Sequence, residues 1–265
     1  HDNGGHLTIW SKSNRSIEVR HQYMDGSTQR TEYLTSGALN DGEWHHMMYT
    51  WGNQGLVLYV DNQQVDQNSG VQASIVNNAE PVILGASAIT SGNLVSDPSD
   101  LDQFFSGDID DIRIYSTNQP DSADVSTLYN QSPYSCAETC DVTPVLESHW
   151  AMDICSLNGT SGEVLDTGDS SLDNHGTAID GATINQSGKF CQAANFAGDD
   201  EHLNIPHNVN YETGRGGVSF WFRRSSGTSG DMGIFSKDSS GHDAGGHLTI
   251  WSKSDRTLYV RHQYK

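Results

Sequence analysis

Apolar and polar side chains alternate most cleanly between Gly42 and Asp66. Trp44–Trp51 and Gly55–Val60 read as two strands joined by Gly52-Asn53-Gln54, and Asp61-Asn62 forms a tight turn into a third strand at Gln63–Asp66. Pro81–Gly85 is a short apolar strand, and Phe104–Tyr115 (FFSGDIDDIRIY) alternates behind a head of carboxylates. A helical turn or two is expected at Asp121–Tyr129. Beyond it His149–Met152, Lys189–Phe196, Leu203–Ile205 and Val218–Arg224 read as further short strands. Periodicity of the helical kind is nearly absent, so the pattern predicts an all-β protein with polar loops.

One alternating segment occurs twice. His1–Met24 and His242–Lys265 are identical at 18 of 24 positions, an offset of 241 residues. Each predicts a hairpin: His6–Trp10 and Ile17–Tyr23 are strands around the polar turn Ser11–Arg15 in the first copy. Ile17 becomes Leu258 and Val19 remains Val260, whereas Glu18 becomes Tyr259. Side chains of period two explain this, with 17 and 19 facing a core and 18 facing outward. A period this long suits one domain plus a linker, so a tandem array is expected, with this chain a window of just over one period. Residues 1–130 then form the C-terminal part of one repeat, 131–144 a linker and 145–265 the N-terminal part of the next. Splicing 145–265 before the equivalent of 25–129 gives about 225 residues, enough to bury a two-sheet core.

Each part alone would expose sheet edges and half a core. Two routes complete them. The parts can close on each other as a circular permutant, or each can close on the neighbouring copy and build a filament. In a self-closed chain the two hairpins compete for one place, which favours the second route.

Composition sharpens the class. The chain carries 34 acidic and 14 basic side chains, a net charge of −20. Such a surface repels nucleic acid and anionic membranes, and no apolar run approaches the length of a membrane span. The charge serves solubility, and clustered Asp residues also suit hard divalent cations. Cys136, Cys140, Cys155 and Cys191 allow three pairings. Their spacing does not match a zinc site. Disulfides suit an exported, loop-rich protein, with Cys155–Cys191 favoured as a staple and Cys136–Cys140 as a small linker loop.

In spliced order the motifs are HWAMD (149–153), an Asp-bearing loop (166–176) ending in HGTA (175–178) and GKFCQAANFAGDDEHLNIP (188–206). VSFWFR (218–223), IFSK (234–237), GEWHHMMYTW (42–51), LYVDNQQV (58–65) and GDIDDIRIY (107–115) follow. This order resembles the concanavalin A-like, laminin-G-type domain of bacterial surface proteins. The Cys-bearing stretches MDICSLNGTSGEVLD (152–166) and GKFC resemble the version in exported accessory proteins of MSHA-type pili. The resemblance implies an antiparallel two-sheet jelly-roll sandwich, here cut into two half-domains, at the cell surface or outside the cell. It also implies a structural calcium where the 107–115 strand meets the Asp loop and the FAGDD turn. On this chain the ligands would be Asp110, Asp166 or Asp169, Ala197 and Asp199.

The residues are consistent with that expectation. Asp108, Asp110 and Asp111 repel one another unless solvated or neutralised. Strict alternation sends Asp108 and Asp110 to one face and Asp111 to the other. His45 and His46 point to opposite faces and are expected to make hydrogen bonds on an edge strand. Trp10, Trp51, Trp221 and Trp251 are expected to fill the core. The glucanases of this fold need paired carboxylates in a compact Glu-x-Asp-x-x-Glu or similar run, which is absent, so no catalysis is expected. A calcium-braced structural or adhesive repeat of a surface fibre or giant surface protein remains, partnered by copies of itself. The alternative is a carbohydrate-binding module that takes surface glycans.

Overall fold

The computed structural model describes residues 7–11, 17–25, 28–32, 34, 36–39, 42–71, 81–86, 101–131, 146–154, 157–168, 174–237, 247–252, 254 and 256–263. The strands are β1 Leu7–Ser11, β2 Ile17–Asp25, β3 Thr28–Glu32, β4 His45–Gly52, β5 Gly55–Val60, β6 Gln63–Asn68, β7 Val82–Leu84 and β8 Gly107–Tyr115. After helix α1 (Ser122–Tyr129) come β9 Leu146–Trp150, β10 Thr177–Ile179, β11 Thr183–Asn185, β12 Ala193–Phe196 and β13 His202–Ile205. The last four are β14 Gly216–Arg224, β15 Met232–Lys237, β16 His247–Ser252 and β17 Leu258–Gln263. The expected strand pairings are present, and so is the Asp61-Asn62 turn; residues 12–16 of the first hairpin's turn lie outside the described residues.

Two antiparallel sheets face each other across one core. The first has the order β10-β13-β7-β15-β16-β17. The second has the order β11-β12-β8-β14-β4-β5-β6, with β9 also paired to β8. Met47, Tyr49, Trp51, Ile109, Ile112, Ile114, Trp150, Phe220, Ile234, Phe235, Ile250 and Trp251 are among the side chains that fill the space between.

The two segments close on each other within the chain. β8 from the first segment pairs with β9, β12 and β14 from the second, and β7 lies between β13 and β15. Closure therefore takes the permutant route, where the duplicated hairpin had favoured closure between chains. The competition is resolved by seating the later copy. β16 pairs with β15, whereas β1 and β2 pair with β3 in a separate three-stranded sheet beside β17.

Every residue of β5 is buried, because the second sheet is covered on both faces. Leu56, Leu58 and Val60 enter the main core, while Val57 and Tyr59 meet Val125 and Leu128 of α1. Asp121 starts α1 by accepting from Ala123 N and Asp124 N (2.8 and 3.2 Å), and the Asp124 side chain accepts from Asp121 N (2.8 Å).

Glycine positions test the backbone. Gly55 has φ +82° and an added Cβ would sit 2.0 Å from Asn68 O; Gly227 has φ +81° and open space. We expect Gly227→Ala to lose only the left-handed penalty of about 1–2 kcal/mol, and Gly55→Ala to lower the melting temperature clearly further. Equal losses in thermal melts would show that the β6 backbone gives way freely.

Candidate functional site

The carboxylates of β8 are the chemically richest part of the fold. The ladder to β14 slips here: Asp110 pairs with Trp221 and Arg113 with Ser219, so three steps on β8 span two on β14. Asp111 has φ +53°. It is the extra residue of a β-bulge. The bulge resets the alternation, so Ile109, Ile112 and Ile114 all reach the core. Asp111 consequently shares the outer side with Asp110, which corrects the expectation that it faces the other way.

Each carboxylate is handled differently. Asp108 accepts from Arg223 Nε and Nη2 (3.0 and 2.8 Å), Asn185 Nδ2 (2.8 Å) and Asn195 Nδ2 (2.9 Å). Asp111 accepts from Arg113 Nη2 (2.9 Å) and lies 2.7 Å from His149 Nε2. Burial pushes Asp111 up, but the Arg113 guanidinium and His149 outweigh it and hold the carboxyl at about 2. Asp110 is fully buried, and no Lys, Arg or His side chain among the described residues figures in its electrostatics. Its Oδ2 accepts from Phe190 N (2.8 Å), and its Oδ1 has no partner among the described residues. Burial pushes Asp110 up to about 9, with the charges of Asp111 and Asp153 adding to the rise. Asp153 is itself raised by burial and accepts from Gln192 N (3.0 Å).

The other expected calcium ligands lie elsewhere along β8. Asp166 is anchored at the opposite end, its Oδ1 accepting from His149 N and Gly168 N (both 2.9 Å). Its buried Oδ2 has no partner among the described residues. Ala197 and Asp199 belong to a turn beside Ser106 and Gly107, where Gly198 N and Asp199 N donate to Glu201 Oε2 (both 3.1 Å). Asp169 lies outside the described residues. Among the described residues, no three His, Cys, Asp or Glu side chains converge on a metal position. Asp153 was missed. It follows Trp150 by three residues, and β9 pairs Trp150 with Ile112, a register that the sequence does not show.

Cys191 is disulfide-bonded. Cys136, Cys140 and Cys155 lie outside the described residues.

Two aromatic expectations change. Trp51 and Trp251 are in the core, but Trp221 is buried outside it, stacked on Tyr129 at 5.5 Å and 23° under the Lys189 ammonium at 3.9 Å. Trp221 pairs opposite Asp110, and that register sends both to the outer side. Trp10 has no described side chain. β4 lies between β14 and β5, so His45 and His46 are not on an edge. His45 Nδ1 lies 2.8 Å from Asp61 Oδ2, and His46 packs 5.1 Å from Trp221. Burial lowers His46 to about 4.

The alternating motifs, the two-sheet sandwich and the placement of 107–115 at its centre all agree with one further comparison. Residues 1–122 match the Laminin_G_3 model of the concanavalin A-like lectin/glucanases superfamily. That segment is similar to a laminin-G-type domain. The antiparallel sandwich of the described strands extends the likeness to the rest of the chain. No curated protein and no solved structure matches. Laminin-G-like domains are commonly extracellular and typically non-catalytic, and the superfamily supports a lectin-like or adhesive module. No helix among the described residues is long and apolar enough to cross a membrane.

The buried acids set opposite pH limbs. A carboxyl raised above its unfolded value binds a proton more tightly when folded, so it destabilises the fold as pH rises from about 4 to 9. Asp111 is depressed, so its contribution is present above about 4 and is lost as pH falls towards 2. In chelator, Asp110→Asn should flatten the alkaline decline and leave the acid limb unchanged. Denaturant melts at pH 5 and 8 check this; an unaltered alkaline decline would remove Asp110 as its source.

Proposed function

We propose that this laminin-G-type chain is a non-catalytic structural or adhesive repeat of an extracellular surface fibre or giant surface protein, braced by calcium. The observation that carries this reading is the duplicated hairpin. Its later copy is seated in the sandwich, and its earlier copy forms a hairpin of the same register in a separate three-stranded sheet. An array of such units supplies length and many equivalent contacts without catalytic machinery. A disulfide at Cys191 suits an oxidising location, and Cys155 is the partner we assign it. The exposed large apolar side chains among the described residues are Val65, Leu165 and Val209, none of them aromatic.

For calcium, the supporting observation is Asp110 Oδ1, buried with no described partner. A divalent ion there would hold Asp110 as a carboxylate and draw on the neighbouring Asp153. The ion would supply bracing of the junction between the two segments.

Two measurements test the proposal. Chelation should lower the melting temperature, by the equivalent of about 2.7 kcal/mol when free calcium is restored to a hundred times its dissociation constant. Asp110→Asn should abolish that response while remaining folded. Melting indifferent to chelator would make Asp110 a buried protonated acid and nothing more. On a glycan array the chain should stay unlabelled, and saturable binding of one glycan class would replace the structural reading with the lectin one.

A further inference from the structure

The two hairpins share more than sequence. In the first, Leu7 pairs with His21, Thr8 with Arg20, Ile9 with Val19, Trp10 with Glu18 and Ser11 with Ile17. In the second, Leu248 pairs with His262, Thr249 with Arg261, Ile250 with Val260, Trp251 with Tyr259 and Ser252 with Leu258. Every pair is displaced by the same 241 residues. Both hairpins are therefore the same object, folded in the same register.

Only one has a seat. β16 lies against β15, with Ser236 opposite Thr249 and their hydroxyls 3.4 Å apart. Leu248, Ile250, Trp251, Leu258 and Val260 fill the core from that position. The edge of β1 that corresponds to this contact ends its sheet. The residues that seat the later copy recur in the earlier one as Leu7, Ile9, Trp10, Ile17 and Val19. Ile17 for Leu258 is a swap of nearly equal volume, which cores tolerate well.

The covalent path also fits. Leu39 N donates to Arg256 O (2.9 Å) in the turn of the seated hairpin. Arg15 is the counterpart of Arg256, and β1–β2–β3 runs directly into the segment that carries Leu39. Seating the earlier hairpin would bring β3 into the first sheet as well, because β3 already pairs with β2.

We propose that the edge of β15 is a docking site with two exchangeable occupants, the segment Leu7–Asp25 and the segment His247–Gln263 of the same chain. Exchange within one chain leaves the number of filled places unchanged, so neither occupant requires a second copy. The inference stands on the duplication and the shared register, and is independent of calcium and of the surface role.

A redundancy test and a covalent trap decide it. Leu258→Asp charges the core of the seated hairpin, and Ile17→Asp makes the matching change in its twin. Each single variant should melt cooperatively, close to the parent, and the double variant should lose cooperative melting. In parallel, Ser236→Cys with Thr249→Cys traps the seated hairpin, and Ser236→Cys with Thr8→Cys traps its twin; Ser236→Cys alone is the control. Both pairs should close within monomers, the second faster in the Leu258→Asp background. If Leu258→Asp alone is as damaging as the double change, exchange is excluded. The same follows if the Thr8 pair stays open, or closes only between chains, while the Thr249 pair closes fully.

Discussion

The ladder between β8 and β14 is the contact on which the rest of this sandwich depends. It joins residues 107–115 to residues 217–224, and each strand is flanked by others recruited from both ends of the chain. β4 and β5 can form a hairpin locally, yet the edge of β4 stays open until β14 pairs with it, and their apolar face is covered only by the first sheet. Hydrogen bonds and burial are thus gained together and late, as in other β topologies dominated by distant contacts.

The bulge at Asp111 sits in the middle of that ladder and shapes its electrostatics. Three carboxylates in four residues would be untenable on one regular strand. The extra residue lets Ile109 and Ile112 both reach the core while Asp110 and Asp111 part company on the outer side. One of them is then neutralised by Arg113 and His149, and the other is left to burial. Without a bound cation, the consequence is an acid held neutral beside an acid held ionised, separated by one peptide bond.

Much of this was legible beforehand. Period-two runs such as Trp44–Trp51 located the strands, and the apolar matches of Ile17 with Leu258 and of Val19 with Val260 marked positions that the later copy places in the core. What could not be read were features set by distant partners. The side on which Asp111 falls is decided by slippage against Ser219 and Trp221, more than a hundred residues away. Trp221 looked like core because burial and core membership coincide in most two-layer folds. Here α1 and the Lys189-Phe190 segment form a third layer over the second sheet. The edge character assigned to His45 and His46 failed for a different reason, since the strand that pairs with the open side of β4 is β14, from the other end of the chain.

The interleaving of the two segments has a consequence for cleavage. All the ladders that join residues up to Tyr115 with residues from Leu146 onward are non-covalent. With Cys136–Cys140 and Cys155–Cys191 paired, a protease cutting between Cys140 and Leu146 would leave two fragments still threaded through one another's sheets. The nicked molecule would keep its shape, but its unfolding would become a dissociation of two chains, and its thermal midpoint would then depend on how dilute it is.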